Sequence, residues 1–228
     1  MASCLMIYIN SISKTITSII IWTDNCPSQN QNIQMIMWYF YILAINPQIK
    51  QISHKFLLRG HTHMEVDSIH SVIEQESKEC PNYKIMTPWH WMQLARLSGK
   101  NKDYVVFEMT TPDFKDFNKL YNIPNAPFQN CKKTEKGEKF LISKVVLKQG
   151  RQDSPGVLFF KSDFDQEFDS IDFNRRGSRK QHLNIENSLL TPLREIPNLI
   201  ISKKYTYLQK LLKWVPKIFH PFYQNLAQ

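Results

Sequence analysis

The chain has 228 residues, 42% apolar, 12% aromatic and 21% charged, which makes it too hydrophobic for a disordered chain and too charged for a membrane protein. Its six glycines are all isolated, so neither a GxGxxG dinucleotide loop nor a GxxxxGK phosphate loop is present, and nucleotide cofactors held in those ways are excluded. A net charge of +9 favours an anionic partner.

Ala2 to Ile9 reads as the end of a helix. Ile19 to Thr23 (IIIWT) is β-branched and apolar on both faces, as expected of a central parallel strand, with Asp24 just past its C-terminal end. After a polar loop, Asn25 to Gln31, the apolar run Met35 to Ile45 predicts a buried helix stopped by Asn46-Pro47, followed by a second parallel strand at Ile52 to Leu58. Thr62 is placed to cap a third helix running to about Ser77, with Glu65 completing a capping box. Further on, the pattern predicts a helix over Trp89 to Leu97, a strand over Tyr104 to Met109 and a helix over Asp113 to Leu120. Two strands, Phe140 to Leu147 and Val157 to Phe160, flank a turn region from Gly150 to Gly156. Asp163 to Lys180 reads as an exposed loop, acidic then basic. A helix from about Ser202 to Trp214 and an aromatic segment, Pro216 to Tyr223, close the chain.

The four cysteines, Cys4, Cys26, Cys80 and Cys131, form no CxxC pair, so neither a zinc ribbon nor a disulfide scaffold is indicated. The longest apolar run is about half of the roughly 20 residues a membrane span needs, and no basic n-region or cleavage site marks a signal peptide. The expectation is an intracellular, nuclear protein without a membrane partner.

Charge is unevenly placed. Residues 1–100 hold 8 Lys+Arg against 6 Asp+Glu, and residues 101–228 hold 21 against 14. The excess gathers in a basic tail region, residues 173–228, where Arg175, Arg176, Arg179, Lys180, Arg194, Lys203, Lys204, Lys210, Lys213 and Lys217 face only Glu186 and Glu195. Lysines there interleave with Tyr205, Tyr207, Trp214 and Phe219, a pattern that fits phosphate contact and equally fits a solvated amphipathic helix. Trp89, His90 and Trp91 sit among apolar residues with few cations nearby, which reads as helix-entry packing rather than base stacking.

Four of seven histidines, His54, His61, His63 and His70, fall close together among Glu65, Asp67 and Glu74. On the expected helix His63, Asp67, His70 and Glu74 share one face, either as a solvated face of helix pairs or as ligands. GHTH (Gly60 to His63) resembles the last metal-binding motif of calcineurin-like metallophosphatases, but the GDxH and GNH[DE] elements that complete two cation shells are missing. Cys26 beside Asp24 would be a nucleophile only with a paired histidine.

The order of elements suits another chemistry better. An RNase H-like nuclease or DDE transposase core carries one carboxylate on its first strand, one at the end of its fourth and one on the helix after its fifth. Two Mg²⁺ ions must clamp the attacking and leaving oxygens there. Asp24 has the position of the second, with Asp67, Glu65, His70 and Glu74 near the third helix's start. Beyond this, IIIWTDNCPSQNQN (Ile19 to Asn32) and KFLLRGHTHMEVDSIHSVIE (Lys55 to Glu74), with PWHWMQL and PKIFHPFY, resemble a family of transposon-derived insect proteins carrying a domain of unknown function. Its members read as a strand, SDNC.GQN.N, a strand, and FL..GHT.ME.D..HS.IE. Pro27 and Ser28 stand where that family has a glycine pair, leaving the loop less backbone freedom.

The resemblance implies an α/β chain, α+β overall. It comprises a partial RNase H-like core with parallel strands and flanking helices over residues 1–80 and a mixed α/β C-terminal region over 81–228. It implies Asp24, Asp67 and Glu74 as ancestral catalytic carboxylates and Asp24, Asp67, Glu65, His61 and His70 as metal ligands, with Mg²⁺ or Mn²⁺ as cofactor. No acidic residue precedes Asp24, so the first-strand ligand is lacking and the sheet is expected to lose its antiparallel half. The expectation is therefore a transposon-derived nuclease remnant without catalysis. Two alternatives stand beside it: a non-enzymatic DNA- or protein-binding module contacting DNA through Arg175, Arg176, Arg179, Lys180, Lys203, Lys204 and Lys210, and a metal-dependent phosphohydrolase built on His61, His63, Asp67, His70 and Glu74.

Overall fold

The computed structural model describes residues 1–12, 14–26, 29–57, 60, 64–80, 84–99, 104–124, 126–175, 190–192 and 202–227. In chain order these form α1 (Ala2–Ser11), β1 (Ser18–Thr23), α2 (Ile33–Ile45), β2 (Gln51–Phe56), α3 (Glu65–Glu79), α4 (Pro88–Ser98), β3 (Leu147–Arg151), β4 (Val157–Lys161), β5 (Asp169–Asp172), α5 (Ser202–Leu211) and α6 (His220–Gln224). The chain divides into two units, residues 1–62 with 112–192 and residues 63–111 with 193–228.

The first unit is a mixed α/β layer. Its sheet runs β1-β2-β3-β4-β5, with β1 and β2 parallel and every other pair antiparallel. Helix α2 starts where the Asn32 side chain accepts from the Met35 N–H at 3.0 Å, satisfying one orphan donor of the first turn. Its residues are buried around the whole circumference, Met35 to Phe40 with Ile42 and Leu43. That burial follows from its place: β2 and β3 lie on one side, α1 and a 3₁₀ turn at Phe117–Leu120 on others. Phe40 packs its ring against Phe128 and Phe173, and Leu158 and Ile171 complete the core from the antiparallel strands.

Gly150 lies within β3 rather than in a turn. A Cβ there would stand 3.0 Å from Leu43 Cδ1 and 3.2 Å from Tyr39 Cβ, so the missing side chain is what lets α2 settle close onto the sheet. The turn that follows is made instead by residues 152–156, ending at Gly156 with φ +75°.

Several expectations are corrected. Ile19 to Thr23 is a strand parallel to the next, but at the sheet's edge, with Ile20 57% and Trp22 50% exposed. The sheet has an antiparallel half because β3 pairs with β2, β4 with β3 and β5 with β4. The expected strand at Phe140 to Leu147 is largely irregular with a 3₁₀ turn at Ile142–Lys144, and pairing begins only at Leu147. Tyr104 to Met109 has strand propensity but joins no strand; Tyr104 folds back on Gly99 while Val105 and Phe107 stand exposed. Asp113 to Leu120 forms two 3₁₀ turns rather than a helix, divided by Lys115, which bridges Pro192.

In the second unit α3 packs against α4, and α5 against α6. His90 is the buried member of the Trp-His-Trp triplet: its Nδ1 accepts from the Thr87 N–H at 3.1 Å, and its ring packs on Phe219 at 5.1 Å. Trp89 and Trp91 stay about half exposed, so only the central residue packs as expected. The Tyr223 hydroxyl donates to the Met86 carbonyl and ties the C-terminal segment to the entry of α4.

Candidate functional site

Asp24 follows directly on β1, at the carboxyl end of the parallel pair. The loop after it is a set of side-chain ties. The Cys26 carbonyl accepts from the Asn30 N–H at 2.9 Å, and the Asn30 amide donates to Asp24 Oδ1 at 2.6 Å and to the Asp24 carbonyl at 3.3 Å. Gln31 reaches the Val145 carbonyl at 3.0 Å, and the Asn32 amide donates to the Gln29 carbonyl at 3.1 Å while its oxygen caps α2. The polar run from Asp24 to Asn32 therefore builds the crossover between β1 and α2. Asn30 and Gln31 are buried, and their side-chain oxygens have no hydrogen-bond partner among the described residues.

Beneath this loop lies a buried polar chain. His54, in the middle of β2, sits between Thr23 Oγ1, 2.8 Å from its Nε2, and the Tyr39 hydroxyl, 2.6 Å from its Nδ1. Burial, reinforced by the nearby Lys148 charge, lowers the His54 pKa to about 3, so the ring is neutral. Burial raises the Tyr39 pKa well above its ordinary value, so that hydroxyl keeps its proton. One proton assignment satisfies every contact: Tyr39 donates to Nδ1, Nε2–H donates to Thr23, and Thr23 donates to the Asp24 carbonyl at 3.1 Å. The chain thus runs from the core helix to the backbone of the candidate carboxylate.

Lys148 lies directly across from His54 in the ladder and is 0% exposed. Its Nζ donates to the Asn30 carbonyl at 3.3 Å and stands 4.6 Å over the Phe56 ring. Burial lowers its pKa to about 7. No ion pair to it exists among the described residues, so the neutral amine is the form the site tolerates best.

The acidic candidates of α3 have a different setting. Helix α3 buries no residue fully, and Glu65, Asp67, His70 and Glu74 are all exposed. The helix begins at Glu65, with Met64 rather than Thr62 at the cap, because Asp67 Oδ2 accepts from the Met64 N–H at 2.8 Å. His70 and Glu74 lie one turn apart on the outer face. His61 and His63 lie outside the described residues. Among the described residues no three His, Cys, Asp or Glu side chains form a group that could hold a metal ion. The oxygen shell that Mg²⁺ or Mn²⁺ takes is thus not assembled from them.

Of the basic candidates, Arg175 is half-buried, and Arg176, Arg179 and Lys180 lie outside the described residues. Lys203 belongs to α5. Lys204 and Lys210 are exposed on α5, and Lys213 and Lys217 on the 3₁₀ turns that follow. No helix of the described residues is long and apolar enough to cross a membrane.

Sequence reasoning missed Lys148 and Tyr39, and noticed His54 only as one of a cluster. The available signal was period 2: Ile52, His54 and Phe56 share one face of a strand whose other residues are polar, which aims His54 inward.

The family model for a domain of unknown function (DUF7869) matches residues 1–152, two-thirds of the chain, from α1 through β3. It therefore takes in Asp24, its loop, His54, α3 and Lys148. No curated protein and no solved structure matches the chain.

Proposed function

The chain belongs to the DUF7869 family, and from that premise we propose that it descends from the DDE-type nuclease of a transposable element and contacts DNA without cutting it. The paired motifs around Asp24 and Asp67 support the descent. The observation that carries DNA contact is the charge of the C-terminal segment. Lys203, Lys204, Lys210, Lys213 and Lys217 occur there, and no Asp or Glu occurs from residue 196 to residue 228. The ammonium groups of Lys204, Lys210, Lys213 and Lys217 are exposed, as replacing counterions along a phosphate backbone requires. The engagement of Asp24 by Asn30 and of Asp67 by the Met64 N–H supports the non-cutting part of the reading.

Titrating purified chain against a fluorescent duplex at rising salt tests this. Each phosphate contact contributes about −0.9 to the slope of log affinity against log salt, so Lys204→Gln with Lys210→Gln should flatten that slope by about 2. Binding that is absent or independent of salt overturns DNA contact. Mg²⁺- or Mn²⁺-dependent nicking that Asp24→Ala abolishes overturns the non-cutting reading.

A further inference from the structure

Phosphate contact does not account for the aromatic side chains of the same segment. On α5 and the 3₁₀ turn after it, Tyr207 is 55% and Trp214 75% exposed, and Leu211 and Ile218 are exposed beside them. Tyrosine and tryptophan normally bury their rings or seat them against a partner. Here each ring has a lysine over it: Lys210 Nζ lies 5.8 Å from the Tyr207 centroid and Lys213 Nζ 5.3 Å from that of Trp214. A ring paired with an ammonium matches a nucleotide, which offers one base to stack and one phosphate to neutralise.

From these pairs we infer that the C-terminal segment is a binding surface for single-stranded nucleic acid, with Tyr207 and Trp214 stacking unpaired bases and Lys210 and Lys213 meeting the attached phosphates. The inference rests on the DNA-contact reading above and narrows it. A duplex keeps its bases stacked inside and offers such rings no base face to stack on, whereas a single strand presents the π-face of every base. Five lysines and no Asp or Glu over residues 196–228 suit a polyanionic partner. The two rings lie seven residues apart along a helix continued by a 3₁₀ turn, roughly 10 Å or more on the axis, so one strand can lie along both.

The test compares a labelled 20-nucleotide oligo(dT) with a labelled 20-base-pair duplex at one salt concentration, by anisotropy and by quenching of tryptophan fluorescence, using the full chain. The expected result is tighter binding of oligo(dT), with quenching. Trp214→Ala together with Tyr207→Ala should lower oligo(dT) affinity at least fivefold and leave duplex affinity within twofold. Trp214→Phe should keep most of the single-strand affinity, which separates stacking from loss of structure. Lys210→Gln with Lys213→Gln should weaken both probes. Equal affinity for the two probes, unmoved by the aromatic substitutions, overturns the single-strand inference and leaves the phosphate reading standing. Binding of neither probe overturns both. Binding to phosphatidylserine vesicles in preference to either probe, lost in Trp214→Ala, overturns the inference in favour of a membrane surface.

Discussion

In the first unit His54, Tyr39 and Lys148 are buried, and their hydrogen bonds tie β2 to α2 and to the end of β1, and β3 to the loop after Asp24. In the second unit the corresponding groups face outward: Glu65, Asp67, His70 and Glu74 on α3, and Lys204 and Lys210 on α5. A buried polar group is judged by what happens when its partner is removed, since water cannot replace it. An exposed one adds little to stability and is judged by what it binds.

Breaking the buried chain should have the largest effect. His54→Ala leaves the Tyr39 hydroxyl without its acceptor and opens a space against Phe56, at a cost of about 2–4 kcal/mol. Denaturant unfolding of the two single variants and the double variant checks this. Tyr39→Phe should cost about 1–2 kcal/mol alone and close to nothing on top of His54→Ala, since the two side chains share one hydrogen bond. Additive costs would show that the chain does not act as a unit.

Lys148 is fully buried, and among the described residues its ammonium has one hydrogen-bond acceptor, the Asn30 carbonyl. In the fold its pKa is about 7 against an ordinary 10.5. The unfolded chain therefore holds the proton to higher pH than the folded one, and stability is lowest below pH 7 and rises between pH 7 and 10.5. His54 adds in the same direction at lower pH: with a folded value of about 3 against 6.5, stability falls as pH drops from 6.5 towards 3. Lys148→Met keeps the aliphatic stem and removes the charge, so it should stabilise the protein at pH 6 by a few kcal/mol, on the order seen for apolar replacement of buried charge. That gain should shrink as pH approaches 10. Thermal melts across this range read it directly, and a variant no more stable at pH 6 would mean that the ammonium is compensated.

These effects mark where the sequence was informative. The apolar run of α2 and the β-branched run of β1 were legible because local pattern alone commits them, and Asp24 could be placed at the strand's end for the same reason. The edge position of β1 and the exposure of Ile20 and Trp22 were not, because pairing depends on strands remote in sequence and the exposure depends on which face of the sheet the helices cover. Gly150 looked like a turn residue, and only the approach of Leu43 and Tyr39 from α2 explains it inside β3. Lys148 reads as one charge at the end of an apolar run; its burial is decided by His54, remote in sequence and opposite it in the ladder. Of the candidate site, the loop motif was visible but its role was not: Asn30, Gln31 and Asn32 are each spent on the crossover between β1 and α2.

The smallest predicted change falls on α3 and asks whether its acidic face is structural at all. Asp67 is the one candidate there with a visible structural duty, accepting from the Met64 N–H. Asp67→Ala should therefore cost about 1 kcal/mol, as loss of a helix cap does, and should be felt as faster hydrogen exchange in the first turn of α3. Glu74→Ala and His70→Ala remove exposed groups and should stay within about 0.5 kcal/mol of the parent. If Glu74→Ala proved as costly as Asp67→Ala, that face would carry a structural load. If only Asp67 matters, the remaining side chains of the face are left to whatever they bind, which is the distinction that separates the exposed face of α3 from the buried chain of the first unit.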